Sequence, residues 1–225
     1  MAKKIMFSDK YGLTQAVLEG RKTMTRRIIK GKWFWERCPE GMWSSDEIKA
    51  WEIECEQRLI DLSQTEEWSK AKEWALSHIT NYKVGDIVAV AQSYNDVYEE
   101  LKRTHGSSSS ITRDFFHKYI QGGRMPVSNK MFVKPEAMLH QIRITDIKVE
   151  RLQDISDDDC IKEGVIEGKF RDFPNDMFYP YKDCKDTEVS WTAKCAFSKL
   201  IDKVSGKGTW ESNPWVFAYT FELVK

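Results

Sequence analysis

The densest concentration of groups that could do chemistry lies in one short run, Gly20-Arg-Lys-Thr-Met-Thr-Arg-Arg, which holds Arg21, Lys22, Thr25, Arg26 and Arg27. A turn carrying cations and hydroxyls together can grip an anion or a carbonyl oxygen. Arginine brings a planar fork of donors, lysine a point charge, and threonine a hydroxyl that both donates and accepts. The surroundings reinforce this: residues 1–34 hold nine Lys and Arg against two Asp and Glu, while the whole chain balances 35 against 35. Overall neutrality argues against a protein that coats nucleic acid by charge alone, and the local surplus marks the amino-terminal segment as a candidate anion-facing surface.

Two further clusters carry recognition chemistry. Asn213-Pro214-Trp215 could read a base by amide hydrogen bonds and stacking, although a turn followed by a buried Trp has the same spelling. Trp33, Phe34 and Trp35 beside Lys30, Lys32 and Arg37 have the mixed aromatic and basic character of a surface that stacks single-stranded bases. Several classes are excluded by what is missing. No glycine-rich phosphate loop, HExxH or GxSxG occurs, and His78, His105, His117 and His140 lie too far apart for ligand spacing, so no metal and no cofactor is expected. Cys38, Cys55, Cys160, Cys184 and Cys195 form no CxxC pair. With no stretch of the ~20 apolar residues that a membrane span needs, the expected setting is cytoplasmic and away from membranes.

The elements that must position these residues can be read from local pattern. Residues 4–7 read as a strand, and 11–19 as a helix with Leu13, Val17 and Leu18 on one face, stopped by Gly20. Residues 31–82 have Trp, Glu and Lys at helical spacing and read as a helical insertion. Gly85-Asp86 turns into a β-branched strand expected to be central. Residues 103–113, with Ile111 as their only large apolar side chain, read as a mobile polar loop. Residues 138–152 alternate as a strand, and Ser156 followed by three aspartates caps a helix running to Glu163 and ended by Gly164. An irregular aromatic loop over 166–190, a helix over 192–204 and a strand over 215–224 complete the chain. Strands separated by single helices, with a late strand to close on the first, give an α+β fold, a small mixed β-barrel with surrounding helices, in one domain spanning 1–225.

Four blocks then resemble one family. The run Gly20–Arg27 resembles the G-x-K-x-x-T-x-R signature of ASCH domains; Val84-Gly-Asp-Ile-Val-Ala-Val resembles the strand after it; residues 149–165 resemble the family's strand-to-helix element; and Asn213-Pro-Trp-Val resembles the closing strand of phage and prophage members. They occur in family order. The resemblance implies a PUA-like barrel whose basic cleft, beside the signature turn, binds RNA or a modified nucleoside through Arg21, Arg26, Arg27, Asn213 and Trp215. It further implies, as an alternative, an amidohydrolase that removes the acetyl group from N4-acetylcytidine, with Lys22, Thr25 and Glu163 in catalytic roles. The chemistry is coherent: a threonine hydroxyl becomes a nucleophile when a neighbouring base accepts its proton, a lysine is that base only where its pKa is lowered, and a glutamate can pass a proton to the leaving amine. A ribonuclease, and a phage-encoded module that docks a protein partner through the 31–82 insertion, are further alternatives.

Overall fold

The computed structural model describes residues 2–29, 76, 80–121, 127–169, 177–180 and 190–224. The expected insertion falls almost wholly outside these, and with it Trp33, Phe34, Trp35 and their basic neighbours. The structure is mixed α+β. Its main sheet has five strands: β1 (Lys3–Ile5), β2 (Met24–Ile28), β3 (Ile87–Val90), β4 (Gln141–Arg151) and β7 (Trp215–Val224), in the order β1-β3-β4-β7-β2. β3 is therefore interior, as its β-branched run leads one to expect. β1 runs parallel to β3, whereas β3–β4 and β2–β7 are antiparallel. The sheet is open among the described residues. The late strand β7 lies beside β2, where the sequence pattern had placed it against the first strand. A two-stranded ribbon, β5 (Gly168–Lys169) with β6 (Met177–Phe178), gives regular structure to part of the segment read as an irregular loop.

The chain divides into two compact units. The first comprises residues 1–23, 85–144 and 221–225. Its helix α1 (Leu13–Leu18) buries Leu13, Thr14, Ala16 and Val17, and Gly20 follows it at φ 74, a left-handed conformation that costs glycine little. Helix α2 (Tyr94–His105) starts at a reciprocal Ser93–Asp96 capping box and buries Tyr94, Val97 and Leu101. These join Ala89, Ala91, Val133, Ala137 and Met138 in one apolar cluster. Helix α3 (Ser110–Phe115) and the π-helical turn Phe116–Gln121 come next. The loop expected over 103–113 is thus confined to 106–109. The reading failed because α3 buries Thr112, whose Oγ1 donates to the carbonyl of Gly106 at 2.9 Å, and leaves Ile111 exposed. Tertiary packing, which the apolar pattern does not register, sustains this helix.

The second unit comprises residues 24–84 and 145–220. Helix α4 (Asp157–Lys162) begins where the Ser156 hydroxyl accepts from the amide of Asp159, with three aspartates in its first turn, and Gly164 ends it at φ 106. Helix α5 (Ala193–Ser205) is capped by Thr192 and packs its Ala193, Ala196, Phe197, Leu200 and Ile201 inward. The short helix α6 (Thr209–Ser212) then leads into β7. Among the described residues no helix is long and apolar enough to cross a membrane.

Candidate functional site

Strand β2 carries the second half of the signature run, and its two-residue period separates what the sequence lists together. Met24 and Arg26 project to one face, Thr25 and Arg27 to the other. The register with β7 sets each beside a cross-strand neighbour on its own face: Thr25 opposite Tyr219, Arg26 opposite Ala218, Arg27 opposite Phe217.

On the Met24 face the Arg26 side chain is only 1% exposed and is surrounded by acids. Its Nη2 lies 2.6 Å from Glu150 Oε1 and 3.2 Å from Asp159 Oδ2, and its Nη1 lies 3.3 Å from Glu163 Oε1 and 3.3 Å from Met24 Sδ. Glu163, just past the last turn of α4, is itself buried. Burial alone would lower the pKa of the guanidinium; the charges of Glu163, Glu150 and Asp159 outweigh it and raise the value. Burial would likewise raise Asp159, but Arg26, with help from Lys162, holds its carboxyl below the usual range. Three carboxylates around one arginine leave this face acidic, with Lys162 Nζ at 3.3 Å from Asp159 offsetting part of the excess. The thiol of Cys160, one residue from Asp159, is pushed up to about 12 by burial and the negative charge of Asp157.

The other face is built from hydroxyls and rings. Thr25 is buried and Tyr219 is 1% exposed. The Tyr219 hydroxyl lies 2.8 Å from Thr80 Oγ1, and the Thr80 hydroxyl lies 2.9 Å from the carbonyl of Tyr82. A threonine hydroxyl has one proton, and a carbonyl can only accept, so Tyr219 donates to Thr80 and Thr80 to Tyr82. Burial is the main cause that raises the Tyr219 phenol to about 12. The Tyr82 ring meets Tyr219 edge-on at 5.3 Å, and Phe217 is tilted against it at 5.9 Å. Arg27, half-buried on this face, is near enough to favour the phenolate electrostatically. A half-buried ring, Tyr82, and a half-buried cation, Arg27, beside the Thr25 hydroxyl are groups of the kind that hold a planar heterocycle and a carbonyl or phosphate oxygen.

The remaining sequence candidates divide between the two units. In the first, Lys22 is buried, with its Nζ 5.8 Å from the centre of the Phe7 ring and its backbone amide bonded to the Ala16 carbonyl. Arg21 is exposed and paired with Glu19 at 2.6 Å. In the second, Asn213 sits at φ 43 and performs turn work: its Oδ1 accepts from the Gln153 amide at 2.8 Å, and its carbonyl accepts from Arg151 Nη1 at 3.1 Å. Trp215 is buried, with the Arg151 guanidinium 4.3 Å from its ring centre.

The structure thus brings Arg26 and Glu163 together, and Thr25 with Arg27, but Arg26 and Thr25 face apart. Glu150, Asp159, Thr80, Tyr82 and Tyr219 are the residues that sequence reasoning missed. For Tyr219 a signal existed: it is one of four aromatic residues at every second position over 215–221. Among the described residues no group of three or more His, Cys, Asp or Glu could hold a metal ion. No family model matches the chain, and neither the curated proteins nor the solved structures contain a match to it.

Proposed function

We propose that this chain binds a modified nucleoside at the Thr25 face of β2, in a PUA-like setting and a cytosolic environment. The observation that carries the reading is the gathering of Thr25, Arg27, Tyr82, Thr80 and Tyr219 around one strand pair. The half-buried Tyr82 ring accepts a base by stacking, the Thr25 hydroxyl reads its polar edge, and Arg27 takes a carbonyl or phosphate oxygen, with Tyr219 and Thr80 holding Tyr82 in place. The acidic excess around Arg26 favours a nucleoside over the phosphate backbone of RNA, because the most buried arginine of the run is already engaged by three carboxylates. In this reading Arg26 and Glu163 brace β2 from behind and set the position of Thr25.

Hydrolysis of an N4-acyl group is the second reading, favoured by the burial of the Thr25 hydroxyl on the proposed nucleoside face. The Thr25 oxygen would attack the acyl carbon as its hydroxyl proton passes to a base, the role that the resemblance implies for Lys22; the C–N bond would break, with the amine leaving protonated, and water would hydrolyse the threonyl ester. Glu163, engaged with Arg26, would act here through the strand.

The test combines binding and turnover. N4-acetylcytidine, cytidine and a single-stranded oligonucleotide are titrated calorimetrically into wild type, Thr25→Val and Arg27→Ala, and cytidine release is followed by chromatography beside Lys22→Ala. Saturable nucleoside binding that is lost in Thr25→Val is expected. Oligonucleotide binding that no nucleoside competes would overturn the proposal, and binding without release would retire the hydrolytic reading alone.

A further inference from the structure

In the first unit, three polar side chains from three elements meet away from the signature run. Gln92 follows β3, Glu100 lies in the second turn of α2, and His140 immediately precedes β4, where its carbonyl accepts from the amide of Val90 at 2.9 Å. The two oxygens of Glu100 are divided between the others: Oε1 lies 2.6 Å from His140 Nε2, and Oε2 accepts from Gln92 Nε2 at 3.3 Å. This assigns the donors. Gln92 uses its amide nitrogen on Glu100, and the imidazole directs its Nε2 proton to the same carboxylate, as a histidine held by a glutamate does. What remains unused is the Gln92 carbonyl oxygen, Nδ1 of the neutral imidazole as a second acceptor, and one hydrogen of the Gln92 amide.

Gln92 is 6% exposed, and its Oε1 is buried with no hydrogen-bond partner among the described residues. A buried carbonyl oxygen left in that state is unfavourable, and its orientation is not free to change: turning the amide over would set its oxygen against the Glu100 carboxylate. His140 Nδ1 likewise makes no hydrogen bond among the described residues, and Glu100 adds a negative charge. The apolar cluster of Ala89, Ala91, Tyr94, Val97, Leu101 and Met138 forms the adjoining core, and Met138 Sδ accepts the backbone amide of Gln92 at 3.2 Å. His140 and Glu100 each keep about a quarter of the side chain exposed, 26% and 23%, so solvent reaches these two members, with Gln92 Oε1 buried behind them.

We propose that Gln92, Glu100 and His140 form a second binding site, which takes a primary ammonium group. Such a group brings three donors and one positive charge to a set of groups that offers acceptors and one negative charge. A quaternary ammonium, with the charge but without the donors, does not satisfy Gln92 Oε1 and is rejected. The site stands apart in residues and chemistry from the proposed nucleoside face, so either can fail without the other.

The test is a titration of the full chain with 1,4-diaminobutane, and separately with tetramethylammonium at matched ionic strength. It is followed through the nitrogen resonances of the His140 ring and the side-chain amide of Gln92. The expected result is a saturable shift with the diamine alone, weakened at least about tenfold in Glu100→Gln and in Gln92→Met, the loss expected of a charge-assisted hydrogen bond. Backbone amide spectra confirm that both variants stay folded. Equal responses to the two cations would show charge screening and overturn the site, as would a diamine response unchanged in Gln92→Met. Saturation by Zn²⁺ in the absence of any diamine response would reassign the cluster to a metal and equally overturn the proposal.

Discussion

Removing the guanidinium of Arg26 strands three carboxylates that the fold has drawn around it. Glu150 and Asp159 are each 20% exposed and Glu163 6% by side chain, so water compensates only part of the loss. Breaking a buried ion pair from one side costs about 3–5 kcal/mol. For a chain of this size that corresponds to a fall in Tm of roughly 6–20 °C. The sign of the pH dependence makes the test specific. In the wild type the carboxyl of Asp159 is held below its ordinary value, so its contribution is present above the unfolded pKa of about 3.9 and disappears as pH falls through the folded one. In Arg26→Ala the Asp159 carboxyl loses the cation that held it charged, so the deficit relative to wild type must shrink as pH falls from 7 to about 4. Urea unfolding of both proteins across that range measures it. Arg26→Lys, which keeps the charge and loses the fork, should fall between the two. A deficit that is constant or grows toward pH 4 would refute the charge argument and make Arg26 a packing residue.

Tyr219→Phe keeps the ring and removes one hydroxyl, leaving the Thr80 oxygen without its donor; a loss of about 1–3 kcal/mol by chemical denaturation is expected. The same variant, subtracted from wild type in an ultraviolet titration, should reveal one phenol ionising near pH 12. For the cysteines, a brief maleimide pulse on native protein at pH 8, read by peptide mass spectrometry, should label exposed Cys195 and spare Cys160, which is buried and raised to about 12. Labelling at comparable rates would show that α4 opens readily.

Much of the local architecture was legible. Ser156 and Thr192 announce their helices by hydroxyl caps, Gly20 and Gly164 end theirs with positive φ, and β7 spans the expected 215–224. These signals act within one turn or one strand. What was not legible acts at distance. Arg26 meets Glu150, Asp159 and Glu163 across 124, 133 and 137 residues, and no local pattern distinguishes those acids from solvated ones. The pairing of β7 with β2 is likewise a matter of sheet order, which propensity does not encode. The division of Thr25 from Arg26 was available from the strand period, but a signature written as a line of letters conceals it.

The alternation of β2 gives the signature run a grammar of parity. Whether a residue of the run reaches the acids or the phenol depends on whether its number is even or odd. A one-residue slip of β2 against β7 would keep every side chain and invert their assignments, turning a hydroxyl toward the carboxylates and a different cation toward the aromatic rings. A two-residue slip would restore parity. The pairing register of β2 is therefore as much a part of the site as Thr25 or Arg26 themselves, and it is what a redesigned version of this strand would have to keep.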